Sequence, residues 1–215
     1  MSIDTTTTMA ILKRDFYNRN ACQVARDLLG AHLVRFINDQ RVSGIIVETE
    51  AYRDGDAASH AYRGRTSRNT PMWQTPGISY VYLTYGMHWL LNAVVEPENA
   101  PAAVLIRAIQ PLDGLDIIAE NRYGRPPREW TNGPARTTMA LNINAAQNQV
   151  DLTSQSDGLW IESADPIPDS DVCTGPRIGL GKNVPEPWRS IPWRWWLKDN
   201  PHVSHISKKS NVEPI

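Results

Sequence analysis

The sequence has little sulfur, almost no phenylalanine and no excess of positive charge. Its 215 residues include only two cysteines, Cys22 and Cys173, far apart and without the C-x-x-C spacing of zinc or redox sites. A disulfide scaffold is excluded, and two reduced thiols fit a cytosolic compartment. No apolar run approaches the roughly 18 residues of a membrane span, and the first nine residues are polar and threonine-rich, without the apolar core of a signal peptide. A cytoplasmic protein with no membrane partner is expected. Lysine and arginine number 22 against 23 aspartates and glutamates. The strongly basic balance that announces a nucleic-acid partner is therefore missing, although net charge says nothing of a local patch. There is no internal repeat and no linker that would divide the chain.

What is present is ordinary globular material, 41% hydrophobic and 21% charged. At this length one domain buries roughly 70% of its unfolded surface and needs no metal staple. The eight tryptophans and seven tyrosines against two phenylalanines are aromatics with polar handles. Such a choice suits a surface that stacks on something.

Periodicity places the elements. Residues 20–29 carry apolar positions at helical spacing and stop at Gly30, a short helix. Residues 31–37 and 42–52, separated by Asn38-Asp39-Gln40-Arg41, read as a hairpin, and 78–95 as a second one with its tip near Tyr85. Between them, residues 53–77 should form a long irregular loop of the kind that carries function. A strand over 103–109, a helix over 112–123 and a helix from Asn132-Gly133-Pro134 to about Leu141 follow, with Asn132 supplying the cap. Residues 158–162 and 177–180 look like short strands. The tryptophan- and proline-rich stretch 185–196 reads as an extended strap over the sheet.

Strict alternation along the second strand puts Ile46, Glu48, Glu50 and Tyr52 on one face. Two carboxylates about 6.5–7 Å apart influence each other's ionisation, and the apolar approach through Gly44-Ile45-Ile46-Val47 places them where the strand leaves the core. A partly desolvated glutamate has a raised pKa and serves as a general base. Tyr80 and Tyr82 share a face of the second hairpin, and Tyr85 at its tip is placed to act as a wedge between stacked bases. His60 lies in the long loop with Arg63, Arg65 and Arg68, which together with Arg53 form a basic cluster suited to phosphate. His202 and His205 have no carboxylate or cysteine near them in sequence, so no metal site is expected.

The strings Glu48-Thr49-Glu50-Ala51-Tyr52 and Tyr80-Val81-Tyr82-Leu83-Thr84-Tyr85-Gly86-Met87, with His60, Asn92, Leu105-Ile106-Arg107-Ala108, Asn132-Gly133-Pro134 and Arg177-Ile178-Gly179-Leu180, resemble one family. The chain resembles the alkyladenine (3-methyladenine) DNA glycosylases of the mammalian type, over roughly residues 16–205. The resemblance implies an α+β single domain: a curved, mainly antiparallel sheet, flanking short helices and a projecting β-hairpin. Residues 1–15 would be a flexible N-terminal segment, 16–205 the catalytic domain and 206–215 a C-terminal tail.

By the same resemblance, the activity is removal of damaged purines from duplex DNA by a monomer that uses no cofactor and no metal. Glu50 would activate a water, and Arg107 would help hold that water and a backbone phosphate. Tyr52 and His60 would sandwich the flipped base, with Tyr82 edge-on to it. Asn92 would lie against the purine edge where a guanine amino group would clash, and Tyr85 would fill the gap in the duplex. Glu48 falls on a motif position with no assigned role. The location implied is cytoplasmic and nucleoid-associated, or nuclear in a eukaryote. Two other readings remain at this point. A non-catalytic nucleic-acid binder would have no use for an inward Glu50, and a carbohydrate hydrolase would use Glu48 and Glu50 as its acid–base pair.

Overall fold

Helix α2 (Ala21–Asp27) begins as its sequence dictates, with the Asn20 side chain accepting a hydrogen bond from the Cys22 N–H. It buries Ala21, Val24 and Ala25 and gives way to Gly30, whose φ of +89° suits glycine. This is seen in a computed structural model that describes residues 9–204 and the backbone of 213–214. Within the lead-in 1–15, residues 9–15 include the start of α1 (Arg14–Tyr17), and the Leu12 N–H donates to the Ile161 carbonyl. Residues 1–8 and His205 lie outside the described part, as does the 206–215 tail apart from the 213–214 backbone.

Among the described residues the architecture is α+β, one curled antiparallel sheet of nine strands with a few short helices. Strands β1 (His32–Ile37) and β2 (Gln40–Tyr52) form the first hairpin; β3 (Ser79–Thr84) and β4 (His88–Val94) form the second. Strand β5 (Ala103–Asp113) lies between β4 and β2, and β6 (Leu159–Glu162) pairs with β1. β7 (Val172–Gly175) and β8 (Arg194–Leu197) complete the far side, with a two-residue β9 (Glu213–Pro214) beyond them.

The thirteen-residue β2 organises everything. One edge pairs with β5; the other pairs with β1 along its first half and with β8 at Glu48, Thr49 and Glu50. Alternation along β2 is not strict. The β2–β5 register is the same on both sides of residues 47–48, but within that stretch Glu48 pairs with Ala108 instead of Arg107, a local irregularity. Ile46 and Ala51, five apart, both belong to the same apolar cluster, while the Glu48 and Glu50 side chains both meet Arg107.

Helices α2 and α4 (Pro134–Ala140) cover the sheet over that main core, and α3 (Leu115–Asn121) packs on α4. A second, smaller cluster joins Ala61 and Met72 of the long loop to Tyr80, Val94 and Ala103. It fixes the loop against the second hairpin.

Several local expectations are corrected. Residues 177–180 form no strand, and the strand in that region is β7. Of the stretch 185–196, the first part is turns, but Arg194 to Trp196 belong to β8 inside the sheet rather than to a strap over it. β5 runs on to Asp113, so the helix expected from 112 starts at Leu115. The Asn132 side chain does not cap α4; it accepts from Arg136, and Gly133 occupies the cap position ahead of Pro134.

Candidate active site

The second hairpin delivers the tyrosines. Tyr80 points into the small core, 2% exposed, and its neighbour two along, Tyr82, lies with its ring centroid 5.3 Å away. The turn between them and β4 needs two consecutive residues with positive φ, Tyr85 at 51° and Gly86 at 69°. Glycine takes that conformation freely, but for tyrosine it costs of order 1–3 kcal/mol. The Tyr85 ring is 86% exposed, so no burial in the fold offsets that cost.

The long loop delivers His60. Asn69 braces the loop from within, donating to the carbonyls of His60 (2.8 Å) and Gly64 (3.1 Å). The Nδ1 of His60 and the Tyr80 hydroxyl are 2.9 Å apart, and the imidazole stands edge-to-face against Tyr82 at 4.5 Å. Desolvation of the ring, and secondarily the Arg68 charge, push the His60 pKa below its ordinary value. The imidazole is therefore neutral at pH 7. Burial pushes the Tyr82 hydroxyl up to about 12, with the Glu50 charge adding to it.

β2 and β5 supply the charges. Glu50 is completely buried and both its oxygens are engaged. Oε1 accepts from the Ile178 N–H at 2.7 Å and faces Arg107 Nη1 at 3.1 Å, while Oε2 accepts from the Tyr52 hydroxyl at 2.8 Å. Glu48, also completely buried, accepts from Arg107 Nε (2.9 Å), Arg194 Nε (2.7 Å) and both the N–H and hydroxyl of Ser204 (2.8 Å each). Burial pushes its carboxyl up, but the Arg107 and Arg194 guanidiniums and the Ser204 donors outweigh that, leaving the pKa below the usual carboxylate range. Arg107 is itself desolvated, yet Glu50 and Glu48 on either side raise its pKa.

Behind Tyr52 lies a second buried pair. Arg177 bonds Asp56 with two nitrogens, donates to the Ala51 and Trp188 carbonyls, and lies over the Tyr52 ring at 4.6 Å. This fixes Tyr52 from one face.

These groups converge on a cavity of about 460 Å³ lined by Tyr52, His60, Tyr82, Asn92 and Arg107, with Ile178 and Tyr85 also at its walls. The volume falls in the range of small-molecule sites, of order 300–1,000 Å³. Buried Asn92 is tied through Nδ2 to the Tyr80 carbonyl at 2.9 Å. Arg63, Arg65 and Arg68 are exposed on the loop and line no part of the cavity; Arg68 donates to the Leu83 carbonyl and sits over Tyr82 at 5.2 Å. Arg53 does not join them, because Glu96 holds it at 2.7 Å.

Sequence reasoning quoted Arg177 and Ile178 among the motif strings without giving them a role, and missed Asp56, Arg194 and Ser204. Arg177, Ile178, Arg194 and Ser204 reach the site from segments more than 120 residues beyond Glu50, and nothing in the loop marks Asp56. Among the described residues no group of histidine, cysteine and carboxylate side chains could hold a metal ion, and no helix is long and apolar enough to cross a membrane.

A family profile described as methylpurine-DNA glycosylase matches residues 15–201. A protein of Carboxydothermus hydrogenoformans is 43% identical over 194 residues, covering 90% of this chain and 98% of the relative. One of Chlorobium phaeobacteroides is 43% identical over 198 residues (91% and 97%), and one of Burkholderia cenocepacia 44% over 199 (90% and 91%). All three carry the provisional name 3-methyladenine DNA glycosylase.

Proposed function

The chain belongs to the methylpurine-DNA glycosylase family and is a base-excision repair glycosylase, and we propose that it hydrolyses the N-glycosidic bond of alkylated or deaminated purines flipped out of duplex DNA, with Glu50 as general base. The observation that carries the mechanism is the state of the Glu50 carboxylate. A carboxylate oxygen accepts two hydrogen bonds in its plane. Oε1 has two donors, the Ile178 N–H and Arg107, whereas Oε2 has only the Tyr52 hydroxyl. Oε2 therefore keeps one acceptor position for a water, behind the Tyr52, Arg107 and Ile178 residues that line the cavity. In the reaction the water oxygen bonds to C1′ of the sugar as the C1′–N bond breaks, and the water's proton passes to Glu50. The departing base keeps the bonding electrons. The nearby carboxylate also stabilises the oxocarbenium character of the sugar.

The aromatic wall supplies selectivity. Tyr52, His60 and Tyr82 surround the extruded base, and a cationic alkylpurine gains about 0.5–2 kcal/mol over a neutral one against aromatic faces. A neutral His60 adds no repelling charge to that pocket. Flipping is cheapest for a weakly paired base, a second filter. The exposed, strained Tyr85 enters the vacated stack, Asn92 obstructs the guanine amino group, and Arg63, Arg65 and Arg68 meet phosphates. The protein acts as a monomer on duplex DNA.

The rival carbohydrate-hydrolase reading needs one carboxyl of the pair to hold a proton at neutral pH. Glu48 is held ionised between two arginines. The test of the proposal is incubation with duplexes carrying hypoxanthine, 1,N6-ethenoadenine or 3-methyladenine. Free base and an intact, abasic strand are expected, and strand-bound base with no release would overturn the activity.

A further inference from the structure

The least explained charges in the molecule are those behind Glu50. Glu48 and Arg194 are both completely buried, neither lines the cavity, and the activity just described uses neither. Burying an ion pair is costly unless its geometry is well satisfied, and replacing it by apolar residues is often neutral for stability. Here Nη1 and Nη2 of Arg194 are buried without a hydrogen-bond partner among the described residues, so the pair is not an efficient stabiliser.

Its geometry has another reading. Glu48 takes Arg107 by Nε at 2.9 Å, and this leaves Nη1 of the same guanidinium facing Glu50 at 3.1 Å. Arg194 takes the other side of Glu48 at 2.7 Å, and its guanidinium lies over Trp196 at 4.3 Å. Ser204 closes the remaining approaches with its N–H and hydroxyl. The four charged groups form a neutral set, two carboxylates and two guanidiniums, alternating along one buried line from Arg194 through Glu48 and Arg107 to Glu50.

We propose that Glu48 is a positioning residue for glycosidic hydrolysis: it fixes the Arg107 guanidinium against Glu50 and, balanced by Arg194, sets the charge against which Glu50 ionises. The proposal rests on the reading of Glu50 as the base. Removing the Glu48 charge leaves the set with one excess positive charge, which favours the ionised form of Glu50 and makes it a weaker base. Removing the Arg194 charge does the reverse, because the set is left with one excess negative charge. The remaining groups that face Glu50 are unchanged in both variants. They are Tyr52 on its own strand, Tyr82 from β3 and the Arg177–Asp56 pair.

The experiment is single-turnover excision of hypoxanthine from a duplex, measured against pH for the full chain and for Glu48→Gln, Arg194→Gln, Ser204→Ala and Glu50→Gln. Glu48→Gln is expected to move the acidic limb down, and Arg194→Gln to move it up, each by up to about one pH unit, no more than the low end of the 1–3 units of a charge in direct contact, because neither charge touches Glu50 itself. Glu48→Gln should also slow the plateau rate about 10-fold, less than the ~10²–10⁴-fold that a direct acid–base group contributes. Affinity for the lesion duplex should stay within about twofold of wild type, because neither residue touches the cavity. Ser204→Ala, which removes a donor and no charge, should leave the limb in place.

Opposite displacements are the signature, since a general loss of fold integrity lowers rate and affinity together and moves both limbs alike. If one charge variant does not fold, the other still reads the sign. Limbs that stay put, or that move in the same direction, overturn the role of Glu48 while an inactive Glu50→Gln preserves the base. If Glu50→Gln keeps its rate, the base assignment fails and this proposal falls with it.

Discussion

Replacing Glu50 by glutamine tests the centre of the mechanism with little change of shape. The amide oxygen takes the place of Oε1, where the Ile178 N–H and Arg107 both donate, and the amide nitrogen takes the place of Oε2. The Tyr52 hydroxyl, now 2.8 Å from a donor, turns its hydrogen away and accepts. What disappears is the charge opposite Arg107 and the only group able to take the water's proton. Arg107 keeps Glu48 at 2.9 Å, although that carboxylate then serves Arg194 as well. Losing one charge-assisted bond costs about 1.5–3 kcal/mol, and at about 2–4 °C per kcal/mol for a chain of this size the melting temperature falls by roughly 3 to 12 °C. The rate effect is larger. One general base contributes ~10²–10⁴-fold, or about 2.7–5.4 kcal/mol of barrier. Single-turnover excision from a lesion duplex should fall by that factor at 25 °C, while the dissociation constant for the same duplex stays within a few-fold. Near-full activity in a variant with intact thermal unfolding would remove Glu50 from the chemistry.

Tyr85→Ser should leave stability within about 0.5 kcal/mol, because the exposed ring contacts little of the fold, yet weaken lesion-duplex binding and slow excision there much more than from single-stranded DNA. An equal loss on both substrates would show that the ring acts within the protein. Changing Arg63, Arg65 and Arg68 together to alanine should lower affinity for all duplexes alike and flatten the salt dependence by ~0.9 per lost phosphate contact; an unchanged slope places them away from DNA. Asn92→Ser removes the bond to the Tyr80 carbonyl, costing about 1 kcal/mol of stability, and at the same time opens the obstructed edge of the pocket. The ratio of 7-methylguanine to hypoxanthine excision should rise, and a wild-type ratio in the variant would reduce Asn92 to a backbone tie.

The site was legible where it is contiguous. Glu48, Glu50 and Tyr52 stand on one strand, and Tyr80, Tyr82 and Tyr85 on one hairpin, so two-residue periodicity and a turn glycine bring them out, whereas Asn92 on the same hairpin came only from the family resemblance. Both hairpins announce themselves locally, but the curvature of the antiparallel sheet was implied by the resemblance alone. The interleaving was not. β8 enters the sheet beside β2 from more than 140 residues along the chain, and a proline- and tryptophan-rich segment carries no sign that its last residues will pair. Strict alternation failed at 46–49 because the local irregularity at the Glu48–Ala108 pair depends on how β2 meets β5, which neither strand records alone.

The near-neutral charge, the one feature of the composition that argued against a DNA partner, loses its force once the charges are located. A net charge adds cations and anions that in the folded chain already face each other. Arg14, Arg19, Arg26 and Arg41 are each within 2.9 Å of a carboxylate on the periphery, and Arg107, Arg177 and Arg194 spend their charge inside. Such pairs contribute little field at a distance. Arg63, Arg65 and Arg68 stand on the loop that carries His60 to the cavity, and among the described residues none of the three has an ion-pair partner. The uncompensated positive charge of that region therefore lies beside the projecting Tyr85 hairpin, to which Arg68 is already joined through the Leu83 carbonyl. A phosphate backbone approaching that edge meets an attractive surface although the whole molecule is formally -1. Affinity built from three such contacts would be modest, with a salt slope of only about −2.7 at ~0.9 per contact.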